Sequence, residues 1–155
     1  EQGHEAAAEA LLAPSSAAGA IDARGGESEG SALIEASAAG LTNMVEKLLA
    51  LGAKPELTDK NGSNSLMWAL CRKHEATAEL LLEPTIAAGA LDAQGASDQS
   101  ALMWASASGL AGMVEKLLEH GAKPDLKNAD GETALDLAKS AGHTACVAVL
   151  EQHAM

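Results

Sequence analysis

The chain contains no phenylalanine and no tyrosine, and its only aromatic side chains are two tryptophans, Trp68 and Trp104, among 155 residues. A core built on rings is excluded, so apolar burial must come from Ala, Leu, Val, Ile and Met. The β-branched and aromatic residues that favour strands are scarce, whereas Ala and Leu, both good helix formers, dominate. The composition points to an all-α protein. Basic residues are few as well: ten Lys and Arg stand against 22 Asp and Glu, a net charge of −12. That balance argues against nucleic acid, whose phosphates call for a basic face, and favours a partner with a neutral or basic patch. No apolar run approaches the ~20 residues of a membrane span, so no membrane is expected. Two cysteines, Cys71 and Cys146, are too few for a disulfide framework in a secreted chain of this kind. The opening "EQGHEAAAEALLA" carries glutamates where a secretory signal carries Lys or Arg. The cysteines therefore read as reduced thiols in a cytoplasmic protein. The absence of an initial Met reads as a trimmed or processed start.

What the chain does have is repetition. "SALIEASAAGLTNMVEKLLALGAKPEL" at 31–57 aligns without a gap with "SALMWASASGLAGMVEKLLEHGAKPDL" at 100–126, an offset of 69. "HEAAAEALLAPSSAAGAIDARG" at 4–25 aligns with "HEATAELLLEPTIAAGALDAQG" at 74–95, an offset of 70. Each double unit divides again. Helical openings begin at Ser31, Asn64, Ser100 and Thr133, spaced by 33, 36 and 33 residues. Each is a polar residue ahead of an apolar run, a helix start signal. Gly40, Gly109 and Gly142 then mark a turn, and a second helix runs to another glycine. Polar stretches follow with Asn61-Gly62 and Asp130-Gly131, strong short-turn dipeptides. The Asn61–Ser63 sequon reads as part of such a turn.

This unit resembles the ankyrin repeat. In the last copy, "ADGETALDLAKSAGH", residues Asp130-Gly131, Thr133-Ala134-Leu135, Ala138 and Gly142-His143 fall where the family has its turn glycine, its Thr-Pro-Leu-His opening and its Gly-His pair. Gly62, Leu66, Ala69 and His74 match in the second copy, and "LLALGAKPEL" and "LLEHGAKPDL" match the helix end followed by Gly-Ala-Asp. The resemblance covers nearly the whole chain. It implies an ankyrin-type α-solenoid of helix-turn-helix repeats joined by β-hairpin-like loops. Residues 1–155 would form a single ankyrin repeat domain, with 1–30 a half repeat and hairpin, and 31–63, 64–99, 100–132 and 133–155 as repeats.

The departures fall in turns. The family's Pro and His are absent from every opening, and Glu29 and Asp98 replace the turn glycine. Lys73 replaces the inter-helix glycine, which asks a non-glycine residue to take a left-handed or adjusted turn at roughly 1 kcal/mol. Extra residues around "EPTIAAGA" predict a second helix that is longer or ends in a Pro-marked turn; "APSSAAGA" carries the same extension. The first hairpin, "ARGGESEGS", is one residue longer than "AQGASDQS". Gly3-His4 matches the pair that opens a second helix, so the chain begins in mid-repeat. An uncapped N-terminal face of this kind invites end-to-end self-association.

No stretch carries a catalytic pattern. "HEAAA" and "HEATA" lack the second His of a zinc-protease helix, and His4 and His74 read as structural. Cys71 and His74 offer two ligands where a structural zinc site takes four, so no metal is expected. Cys146 reads as a small core residue. No phosphate-cradling glycine loop and no nucleophile elbow is present, so neither an enzyme nor a cofactor is expected.

Set in register, the four openings always have Leu third (Leu33, Leu66, Leu102, Leu135) and Ala sixth (Ala36, Ala69, Ala105, Ala138). Three apart, they share a helix face and are the packing positions. The fourth is Ile34, Met67, Met103 and Asp136, and is expected to be half-buried. The fifth is Glu35, Trp68, Trp104 and Leu137, a range too wide for close-packed core. The resemblance implies that this fifth position faces the concave groove. The candidate contacts are therefore Trp68, Trp104, Glu35 and Leu137, with Cys71, Arg72 and Ser108 beside them and Asn61, Asp98 and Gln99 at the hairpin tips. Two exposed tryptophans beside an arginine have the composition of a binding hot spot. Alternatively each ring covers the helix of the next repeat, worth a few kcal/mol; rings partly packed and partly exposed satisfy both. The expected function is non-enzymatic protein–protein interaction through the groove and hairpin tips. The alternatives are a structural or engineered repeat scaffold without a dedicated partner, and an accessory domain cut from a longer chain.

Overall fold

A computed structural model of the chain describes residues 21–25 and 29–155. The expectations for His4, for the first half repeat, for the extra residue of the first hairpin and for self-association at the N-terminal face lie outside them. The described helices come in pairs: α1 (Ala32–Ala38) with α2 (Thr42–Ala50), α3 (Ser65–Cys71) with α4 (Glu75–Ala87), α5 (Ala101–Ser108) with α6 (Ala111–Glu119), and α7 (Ala134–Ser140) with α8 (Thr144–His153). First helices stack in one row, α1 on α3 on α5 on α7, and second helices in another, α2 on α4 on α6 on α8. The fold is an all-α helix-turn-helix solenoid. Between repeats the chain forms hairpin-like loops, with isolated β-bridges of Gly25 with Gly30 and of Thr58 with Asn64.

Each first helix starts at the polar residue that marks it. The side chains of Ser31, Asn64, Ser100 and Thr133 accept from the backbone N–H of Ile34, Met67, Met103 and Asp136, satisfying a donor the helix leaves unpaired. At Thr133 the cap is reciprocal: Asp136 Oδ2 accepts from the Thr133 N–H at 2.9 Å and its hydroxyl at 2.8 Å. Those bonds, the backbone one first, hold the Asp136 carboxyl below its ordinary range.

Each first helix also ends alike. The carbonyls of Ala36, Ala69, Ala105 and Ala138 accept from the N–H of Leu41, His74, Leu110 and His143 at 2.9, 2.8, 3.0 and 2.9 Å. This closure needs a left-handed residue, supplied by Gly40, Gly109, Gly142 and, at φ 62°, by Lys73. The His74 ring lies on Gly40 and bonds the Ala38 carbonyl at 3.2 Å; His143 lies on Gly109 and bonds Ala107 at 3.1 Å. Each histidine thus locks its repeat to the turn of the one before.

Leu33, Leu66 and Leu102 and the four sixth-position alanines are buried, while Leu135 is half-buried. The fourth position departs from expectation: Ile34, Met67 and Met103 are fully buried, not half-buried. At Met67 the next hairpin closes over the side chain; a Cβ placed on Gly95 would come 2.9 Å from its Sδ. The extra residues of the second unit lengthen its second helix, since Pro84 lies inside α4, which has 13 residues where α2 and α6 have nine. In the first hairpin Gly25 N–H reaches Gly30 O, five residues on, whereas Asp59–Ser63, Gly95–Gln99 and Asn128–Glu132 pair four apart.

Urea unfolding should separate two glycine substitutions. Gly142→Ala adds a methyl in open space and should cost only the left-handed penalty, roughly 1–2 kcal/mol. Gly109→Ala should cost more, because its methyl meets the His143 ring at 2.8 Å. Lys73→Gly should stabilise, by under about 1 kcal/mol once the freer unfolded chain is counted.

Candidate functional site

The site grows from the hairpin that leads into the repeat 64–99. Asp59 Oδ1 accepts from the N–H groups of Asn61 and Ser63, both at 2.9 Å, the side-chain bonding that makes Asp a turn former. Asn128 does the same for Asp130 and Glu132 at 3.0 and 2.8 Å. Asp59 is only 3% exposed, and its second oxygen accepts from Trp68 Nε1 at 2.9 Å. Three donors thus satisfy a carboxylate that would otherwise be costly to bury, and one of them ties the Trp68 ring to its own hairpin.

Trp104 is held differently. Gly95 pairs with Gln99 as Asp59 pairs with Ser63, so glycine stands where the carboxylate would be. Trp104 is half-buried against the hydrophobic core. Gly95 is needed for close approach: a Cβ there would meet Ser63 Oγ at 2.7 Å. The neighbouring Ala96 N–H donates to that same hydroxyl at 3.2 Å. Further along, the Gln94 amide donates to the carbonyls of Asp98 at 2.6 Å and Lys127 at 2.8 Å, and Ala129 N–H donates to Ser97 O at 2.9 Å. Consecutive hairpins are therefore laced together beside the first helices.

Between the two tryptophans lies an open concavity of about 140 Å³. Met67, Trp68 and Cys71 of α3 form one wall, Trp104 of α5 the other, and Asn61, Ser63 and Ala96 of the hairpins the edge. The Arg72 guanidinium lies over the Trp68 ring, 5.6 Å from its centroid, within cation–π reach.

Of the residues singled out in the sequence, the structure brings Trp68, Trp104, Cys71 and Asn61 to this pocket, with Arg72 at the Trp68 ring. Glu35 is exposed one repeat earlier, and Leu137 is half-buried against the core one repeat later. Ser108 is half-buried at the end of α5. Asp98 is exposed with φ 57° in the 3-10 turn Ala96–Asp98. Gln99 is half-buried, its Oε1 enclosed without a hydrogen-bond partner. Both tryptophans are half-buried, so each ring covers its repeat and still presents surface. Sequence reasoning missed Asp59, Ser63, Met67 and Ala96. An Asp two residues before Asn-Gly is a legible turn signal; its bond to Trp68 is not.

Among the described residues no group of three or more His, Cys, Asp or Glu could hold a metal, and no helix is long and apolar enough to cross a membrane. Cys146 is fully buried, and burial pushes its thiol up; Cys71 is half-buried on the pocket wall. A thiol reagent at mild alkaline pH should modify Cys71 in the native chain and Cys146 only after unfolding, which mass spectrometry of the labelled chain reads. Asp59→Ala should cost about 1–3 kcal/mol, the usual range for orphaned buried donors. It should also shift the emission of Trp68 and leave that of Trp104 in place, read in variants that keep one tryptophan each.

A family model described as ankyrin repeats (3 copies) matches residues 1–91 and again 87–154. The chain is 34% identical over 113 residues to mouse Ankyrin repeat domain-containing protein 63, covering 70% of this chain and 28% of that protein. It is 38% identical over 124 residues to mouse Ankyrin repeat and SOCS box protein 16, covering 74% and 26%. To human Palmitoyltransferase ZDHHC17 it is 34% identical over 153 residues, covering 77% and 24%. The chain thus spans about a quarter of the length of these relatives. Ankyrin repeats are in general protein–protein interaction modules and in general not enzymes. Stacked helix pairs closed by the same left-handed turn, and a family match along both halves of the sequence, carry one conclusion: the chain belongs to the ankyrin repeat family.

Proposed function

We propose that this chain is a non-enzymatic interaction module that seats a segment of a partner protein between Trp68 and Trp104 and along the groove beside the hairpins. One observation carries the reading: the chain's only two aromatic side chains come from different repeats and wall the same concavity. Tryptophan is among the residues enriched at the energetic centres of protein interfaces, and a ring already braced by packing or by Asp59 loses little freedom on binding. In this reading 31–63, 64–99, 100–132 and 133–155 act as repeats of one domain. The central two supply the anchor, and Glu35, Leu137, Ser108, Asp98 and Gln99 extend the contact along the row. The net charge of −12 steers the approach toward partners whose bodies are neutral or basic. Two free thiols support a reducing, cytoplasmic setting.

Peptides selected on this chain from a random display library test the reading. Trp68→Ala and Trp104→Ala should each weaken a selected peptide more than about tenfold, which is 1.4 kcal/mol, in calorimetric titrations of variants shown folded by circular dichroism. A bound peptide should also shield Cys71 from alkylation. Unchanged affinity in both variants together with an unprotected Cys71 would instead favour a scaffold whose tryptophans only pack.

A further inference from the structure

We infer that the segment seated in the pocket is acidic: an apolar side chain enters between Trp68 and Trp104, and an Asp or Glu beside it pairs with Arg72. This rests on the groove reading above and names the chemistry of its ligand. All ten Lys and Arg lie among the described residues. Four lysines already face carboxylates of their own chain, in the pairs Lys54–Asp22, Lys116–Glu79, Lys123–Asp92 and Lys139–Glu151. Arg72 makes no ion pair among the described residues; its guanidinium rests on the Trp68 ring. With no carboxylate taking its donors among the described residues, the guanidinium keeps the fork of N–H groups that matches a carboxylate. Exposed Lys73, the next residue, likewise makes no ion pair among the described residues.

The acids nearby do not cancel this. Asp59 touches Trp68, but both of its oxygens are occupied by N–H donors and it is buried. Asp98 stands in the turn that also supplies Ala96 to the pocket edge, and it is exposed. Neither Arg72 nor Asp98 lines the pocket itself; Arg72 adjoins it through the Trp68 ring, which does line it, and Asp98 through the turn it shares with Ala96. The ligand's carboxylate belongs at the Trp68 side. Long-range repulsion from the acidic body is the opposing effect. Packed helices lie ~8–10 Å apart, and charges are largely screened beyond ~8 Å at physiological salt. Charges a repeat or more away are thus damped, and the local Arg72 pairing prevails at contact. Net charge governs the approach; Arg72 governs the seat.

The test is a random-peptide display selection on the chain at about 150 mM salt, repeated on Arg72→Gln. Arg72 is exposed, so its substitution leaves the packing intact, which thermal unfolding confirms. Peptides that compete for the pocket should share an apolar residue with Asp or Glu within two positions. Changing that acid to its amide should weaken binding about two- to fivefold, the range for an exposed charge pair, on the original chain and not on Arg72→Gln. Competing peptides with basic or uncharged flanks would overturn the acidic assignment and leave the groove reading standing. A selection that returns no peptide competing for the tryptophan pocket would overturn both.

Discussion

The structure depends on one contact made over and over: first helix stacked on first helix, with their leucines and alanines in the shared core. A single helix pair has nowhere to bury these side chains, so the repeats are stable only as a stack. The chain makes this work without rings. A small residue at the sixth position lets neighbouring helices approach closely, and the same alanines offer the carbonyls that close each helix end. Packing and backbone geometry therefore meet at the same residues. Wherever the frame repeats, they are kept, and the fifth position beside them is left to vary.

The second constraint is the left-handed turn between paired helices, and the histidine that lies on it. His74 and His143 each fill the space a Cβ would need over the previous repeat's glycine and bond a carbonyl at its helix end. Lys73 shows that backbone geometry alone can be met by a lysine at a modest cost. These contacts fix how each repeat sits on the one before. The laced hairpins add to this hold, and the Asp59–Trp68 bond extends it to a side chain that contacts solvent.

The two tryptophans share a frame and differ in support. One is tethered by its indole N–H to a buried carboxylate; the other leans on the core where glycine has replaced that carboxylate. The replacement also lets the third hairpin approach the second, since a Cβ on Gly95 would meet Ser63 and Met67. A net charge of −12 describes the molecule from a distance and misdescribes this spot, where Arg72 lies over the Trp68 ring. Averages over a chain are poor guides to a site one side chain wide.

The period, the four capping residues, the Leu and Ala packing positions and the left-handed demand on Lys73 were all legible in the sequence, because each is set by neighbours within a turn or two of helix. So was the row holding Trp68 and Trp104. The full burial of Ile34, Met67 and Met103 was not legible within one repeat; at Met67 it depends on how closely the next hairpin folds back. Nor was the choice between a longer helix and a turn at Pro84, which packing against the flanking repeats decides. The cross-repeat bonds of Lys54 with Asp22 and of Lys123 with Asp92 join residues more than thirty positions apart. By itself the sequence determined the repeat and what each repeat must bury, because short-range periodicity encodes both. Only the tertiary structure decided that two rings 36 residues apart wall one pocket. That distance is fixed by how the repeats stack, and no local pattern records it.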